Sequence, residues 1–124
     1  VQHKPFDVSY GELGVFPNFH RPRVIWVGVQ VPDGLLTMQR RIESELNRIG
    51  YQPDPREFYP HFTIGRVSRN VSPAMIREVG QKVQKQKLGF LGVTRVNSVT
   101  LFKSDLRPEG AVYTRLFEQE LTNS

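Results

Sequence analysis

Cysteine is absent from the 124 residues, so the chain can form no disulfide and offers no thiolate to a metal. A reducing interior such as the cytoplasm is compatible with that composition. No apolar run reaches the roughly 18 residues that a membrane-spanning helix needs. Histidine is scarce too: His3, His20 and His61 are scattered and do not form a ligand cluster. No metal site or other cofactor is therefore expected. Tryptophan occurs once, at position 26.

What is present reads as a globular domain. Hydrophobic residues make up 38% and charged residues 23% of the chain, which excludes a disordered composition. The length suits one domain or part of one. The formal charge of +5 favours an anionic partner, nucleic acid above all, because phosphates attract Lys and Arg without regard to sequence.

Hydrophobic periodicity divides the chain into elements. "PFDVSYGELGVF" alternates Phe6, Val8 and Tyr10 against polar neighbours, which predicts a half-buried strand turning at Gly11 and Gly14. "FPNFHRPR" reads as a loop, and the β-branched run Val24–Val29 as a central strand. Leu35, Met38, Ile42, Leu46 and Ile49 recur at spacings of three and four, an amphipathic helix closed by Gly50 at C′. "YQPDPREFYP" is a proline-rich loop, and "HFTIGRV" a strand. Ser72 and Pro73 form an N-cap and N1 pair for a second helix with the stripe Met75, Ile76, Val79 and Val83. Lys82, Lys85 and Lys87 crowd its end, either as a solvated face that suits the helix dipole or as an RNA contact. "LGFLGVTRVNSVTLFKSDL" is strand, with a bend expected at Gly92. After the "RPEG" turn, "AVYTRLFEQEL" returns as a strand, with a short helix as the rival. Strands and helices interleave, but the short turns favour antiparallel pairing, so the fold class is α+β.

The chemistry concentrates in "EFYPHFTIGRV", residues 57 to 67. Alternation puts His61, Thr63 and Gly65 on one face, with Phe62 and Ile64 on the other to anchor the strand to a core. An imidazole can give or take a proton near neutral pH, and a threonine hydroxyl can donate to a phosphate oxygen. Arg66 would add a guanidinium to the same anion. The competing reading is structural. Ser and Thr together fill 13 of the 124 positions, so about 0.3 His-x-Ser/Thr triplets are expected by chance and the triplet alone is a weak motif.

The surroundings add specificity. "FPNFHRPRVIWVGV", an amphipathic helix, "FYPHFTIGRV" and then "VTLFKSDLRPEGAVYTRL" together resemble the second half of the bacterial and archaeal RNA 2′,3′-cyclic phosphodiesterases. These were long called 2′-5′ RNA ligases and belong to the 2H phosphoesterase superfamily. The resemblance runs from about Phe6 to Leu121. It implies a bilobal α+β fold with antiparallel sheets and helices outside, each lobe contributing one His-x-Thr/Ser motif to a shared cleft. It also implies metal-independent hydrolysis of RNA 2′,3′-cyclic phosphates to 2′-phosphates, and in some members 2′-5′ joining of tRNA halves. By position, His61 and Thr63 match the second motif, and Arg66 the arginine that commonly closes it. Phe102, Ser104 and Tyr113 match a recurrent stretch read as fold. Tyr59 sits where relatives often carry a basic residue and is given no substrate contact; Trp26 and Phe58 read as core aromatics.

The family pattern has two motifs and this sequence has one. His3 is followed by Lys4-Pro5 and His20 by Arg21-Pro22, and neither gives His-x-Thr/Ser. Residues 1–124 are expected to be a single domain incomplete at its N-terminus. Three readings stay open: a fragment of a full-length enzyme, two halves pairing to share one cleft, or an inactive chain that binds RNA or a terminal phosphate.

Overall fold

The computed structural model describes residues 3–122. The order is β1 (Phe6–Phe16), β2 (Val24–Gln30), α1 (Asp33–Arg48), β3 (His61–Arg66), α2 (Pro73–Lys85), β4 (Phe90–Val96), β5 (Ser98–Arg107) and β6 (Gly110–Glu120). Four strands form one antiparallel sheet in the order β3-β2-β1-β4, and β5 pairs with β6 in a second sheet. The expected α+β class holds, with β2 between two neighbours as its apolar run predicted. β6 is a strand throughout, which settles the rivalry with a short helix.

The first strand does not turn at Gly11 or Gly14; it continues to Phe16. Its bend is a bulge at Glu12, whose φ of 63° lies in the left-handed region. The two glycines serve close approach instead. A Cβ on Gly14 would overlap the ring of Trp26, and one on Gly11 would come within 2.9 Å of the Gly89 carbonyl oxygen. The strand stays intact because glycine there makes room for a facing aromatic.

Phe6 and Val8 of β1, Met38 of α1 and Leu121 after β6 form the buried core, with Tyr10, Val29, Leu35, Ile42 and Val96 packed around it. Helix α1 thus covers one face of the four-stranded sheet. It ends in a Schellman arrangement: Tyr51 N–H donates to Leu46 O at 3.0 Å and Gly50 N–H to Asn47 O at 3.1 Å, with Gly50 at φ 107°. Leu46 and Ile49 are exposed, so of the predicted stripe Leu35, Met38 and Ile42 belong to the core.

Helix α2 is capped as expected, with Met75 N–H donating to Ser72 Oγ at 3.2 Å and Pro73 at its first position. Its buried face is Ile76 and Gly80 flanked by Val79 and Val83. Met75 is 58% exposed and lies off that face. Gly80 rests directly on the Phe19 carbonyl of the loop at residues 17–23. That loop is held by Asn18 Oδ1, which accepts from the His20 and Arg21 N–H groups at 3.0 Å each.

The expected bend at Gly92 corresponds to a register shift against Tyr10 and Gly11. The division of the long apolar stretch into two strands falls at Asn97 instead. There the chain leaves the first sheet, and the second sheet is tied back at its base by Leu121 N–H donating to Asn97 O at 2.7 Å.

Candidate functional site

Strand β3 lies at the edge of its sheet, so one neighbour, β2, decides where its side chains go. The register pairs His61 with Gly28, Phe62 with Val27 and Thr63 with Trp26. It then slips, and Gly65 pairs with Ile25 and Arg66 with Val24. Two residues, Ile64 and Gly65, therefore oppose one, which is a β-bulge. Strict alternation would place Arg66 away from His61. The extra residue restores it to the face shared by His61, Thr63, Trp26 and Val24, and moves Gly65 to the other face. The sequence-based placement of Gly65 beside His61 is thereby corrected. A single inserted residue reverses every later side chain on a strand.

Edge position also explains a second correction. Phe62 and Ile64 do not anchor the strand in a core; they are 52% and 60% exposed. Phe62 finds one aromatic neighbour, Tyr10, with ring centroids 5.2 Å apart. What fixes β3 is its ladder to β2, extended by Val67 N–H donating to Arg23 O at 2.8 Å.

His61 is held more firmly than its exposure suggests. Its Nδ1 lies 2.6 Å from the Tyr59 carbonyl oxygen. Phe16 meets the imidazole edge-on at 5.0 Å and 88°, and Trp26 lies 6.1 Å away. Tyr59 in turn packs against Trp26 at 5.4 Å and Phe16 at 5.9 Å. Trp26, predicted as core, is half-buried in this cluster on the His61 face, and Phe58 is exposed. The indole Nε1 of Trp26 is buried without an acceptor among the described residues. Sequence reasoning set Tyr59 aside for want of a basic side chain. Its part is played by a main-chain carbonyl, which residue identity does not advertise.

The loop that delivers Tyr59 and Pro60 is pinned at its far end. Asp54 N–H donates to Glu43 Oε1 of α1 at 3.2 Å. The Arg56 guanidinium donates to both carboxylate oxygens of Asp54, at 3.2 and 3.1 Å. This hydrogen bonding holds the Asp54 carboxyl below its ordinary value and raises Arg56.

Thr63 and Arg66 carry no side-chain hydrogen bond or ion pair among the described residues. Both are exposed, as is His61. The face thus presents a proton-transfer group, a hydroxyl and an uncommitted guanidinium, a set suited to an anion with a reacting oxygen. The recess of about 320 Å³ bordered by Val8, Leu35, Phe58, Pro60 and His61 is apolar, and neither Thr63 nor Arg66 lines it. No group of three or more His, Cys, Asp or Glu side chains able to hold a metal occurs among the described residues. None of the helices there is long and apolar enough to cross a membrane.

Phe102 and Tyr113 meet across the β5–β6 hairpin at 6.3 Å, edge to face, and Gly110 closes the turn at φ 131°. Ser104 pairs with Tyr113 in the ladder. Both rings are nonetheless more than half exposed.

Residues 1–108 match the family described as the 2′-5′ RNA ligase superfamily. An RNA 2′,3′-cyclic phosphodiesterase of Methanothermobacter thermautotrophicus is 35% identical over 112 residues, covering 90% of this chain and 59% of that protein. Those of Aeropyrum pernix and Archaeoglobus fulgidus are both 34% identical, covering 100% and 95% of this chain. The chain spans 69% and 65% of their lengths. The crystal structure of LigT of Escherichia coli complexed with 3′-AMP superposes with a TM-score of 0.73 at 26% identity, over 99% of this chain and 63% of LigT. TT0787 of Thermus thermophilus shares the fold with a TM-score of 0.75 at 22% identity.

Proposed function

This chain belongs to the 2′-5′ RNA ligase superfamily, and from that premise we propose that His61, Thr63 and Arg66 form half of an active site for RNA 2′,3′-cyclic phosphates. Water adds to phosphorus, the P–O3′ bond breaks, the 3′ oxygen leaves with a proton, and a 2′-phosphate remains. Two proton transfers are needed, one from water and one to the leaving oxygen. His61 performs one of them through its free ring nitrogen. A second histidine performs the other, supplied by polypeptide beyond these residues or by a second copy of the chain. Thr63 and Arg66 hold the phosphoryl oxygens as their charge redistributes. With an RNA 5′-hydroxyl in place of water, the same displacement would form a P–O5′ bond as P–O3′ breaks and join RNA ends, such as tRNA halves, through a 2′-5′ bond. A cytoplasmic setting suits a cysteine-free chain acting on RNA.

The observation that carries this reading is the bulge in β3, which brings Arg66 onto the open face of His61 and Thr63. The single His-x-Thr motif favours a second reading, a phosphate-binding chain without turnover.

The test is an assay of the purified protein on a nucleoside 2′,3′-cyclic phosphate, with intact mass measured in parallel. Turnover to the 2′-phosphate that falls about 10²- to 10⁴-fold in His61→Ala is expected. Absence of turnover, with a nucleoside 2′-phosphate still bound in an Arg66-dependent way, would replace the enzyme by the binding chain.

A further inference from the structure

We infer that Pro60 is a positioning residue, which fixes the Tyr59 carbonyl as a lock on the tautomer of His61. This rests on the proposed role of His61 as a proton-transfer group.

A carbonyl oxygen only accepts hydrogen bonds. At 2.6 Å from the Tyr59 oxygen, Nδ1 must therefore carry the proton, and Nε2 is the nitrogen left for chemistry. The neutral ring then presents a lone pair at Nε2, and the protonated ring presents an N–H there. Both directions of transfer run through one atom whose position does not change. Many catalytic histidines are oriented by a carboxylate; no Asp or Glu hydrogen-bonds His61 among the described residues.

A backbone acceptor works as a lock only if its peptide plane cannot swing. Two features hold it. Proline at 60 fixes its own φ and restricts the preceding residue to extended conformations, which limits rotation of the Tyr59–Pro60 peptide. The Tyr59 ring is packed against both Trp26 and Phe16, and Phe16 also meets the imidazole itself. Trp26 lies over Gly14, where any side chain would displace it. The support therefore runs from β1 through β2 to the residue preceding the site.

The experiment is long-range ¹H–¹⁵N correlation of the histidine rings in the protein at alkaline pH, where imidazole is neutral. His61 is assigned by comparison with His61→Ala. The wild type is expected to show protonated Nδ1 and bare Nε2 at His61. Pro60→Gly is expected to show a mixture of tautomers, with kcat down on the order of tenfold as the competent fraction falls and KM little changed. Wild-type His61 carrying its proton on Nε2 would overturn the inference even if Pro60→Gly cannot be purified. So would a Pro60→Gly protein with unaltered tautomer and kcat. Neither result touches the proposed function, which fails instead if His61→Ala leaves turnover intact.

Discussion

A guanidinium near a histidine and a hydroxyl matters only when all three reach the same anion, which the proposed function requires of Arg66 on the face it shares with His61 and Thr63. Among the described residues its guanidinium has no carboxylate partner or side-chain hydrogen bond. A charged hydrogen bond to a phosphoryl oxygen contributes about 1.5–3 kcal/mol. Arg66→Ala is accordingly expected to weaken binding of a nucleoside 2′-phosphate by roughly ten- to a hundredfold, as measured by titration calorimetry. Thermal stability should not change, because the side chain is exposed and makes no ion pair among the described residues. Arg66→Lys should recover part of the loss, since an ammonium keeps the charge but not the planar fork. Equal affinity in all three proteins would remove Arg66 from the site.

Among the elements, α2 depends most on a single position. Ile76 and Gly80 are its buried residues, and the glycine lets the helix backbone lie on the Phe19 carbonyl. That carbonyl is backbone, in a loop stiffened by the buried Pro22 and the Asn18 turn, and cannot step aside as a flexible side chain would. Alanine is the better helix former by about 1 kcal/mol, but overpacking here is expected to win. Gly80→Ala should destabilise the protein by about 1–3 kcal/mol in urea unfolding. A stabilised Gly80→Ala protein would show that α2 is free to move off the loop. The same loop leads from Phe16, which touches His61, to β2, so the variant also reports on how α2 supports the site.

At the scale of the molecule, the two sheets differ in how well they are covered. The β3-β2-β1-β4 sheet has α1 on one face and contributes the core. The β5–β6 hairpin has two strands and leaves Leu101, Phe102, Leu106, Val112, Tyr113, Leu116 and Phe117 substantially exposed. Two-stranded ribbons are marginal by themselves, and long apolar edges are templates for pairing. This chain alone is therefore expected to self-associate at roughly micromolar to millimolar concentration, seen by sedimentation velocity. Leu106, 87% exposed, makes little contact with its own chain. Leu106→Lys should reduce association without lowering the unfolding midpoint. A strictly monomeric wild type would show that the hairpin surface is tolerated in water.

Local order was legible in the sequence wherever one residue type has one physical use. Ser72-Pro73 starts a helix, Gly50 ends one, Gly110 closes a turn, and the β-branched run makes β2; each follows from propensity and hydrogen-bonding capacity within a few residues. His61 and Thr63 share a face for the same reason, since a two-residue period is a property of any strand. Other features needed the tertiary structure because they depend on what lies opposite. Gly14 looks like a turn residue until Trp26 is seen above it, and Met75 looks like core until the register of α2 on its loop is known. Phe62 and Ile64 look like anchors until β3 proves to be an edge. Arg66 lies on the face of His61 and Thr63 because β2 opposes one residue to two of β3, and the Tyr59 carbonyl meets His61 where the Tyr59 ring packs on Phe16 and Trp26. The sequence by itself determined which chemical groups are available. Only the packing of one strand against another decided which of them meet.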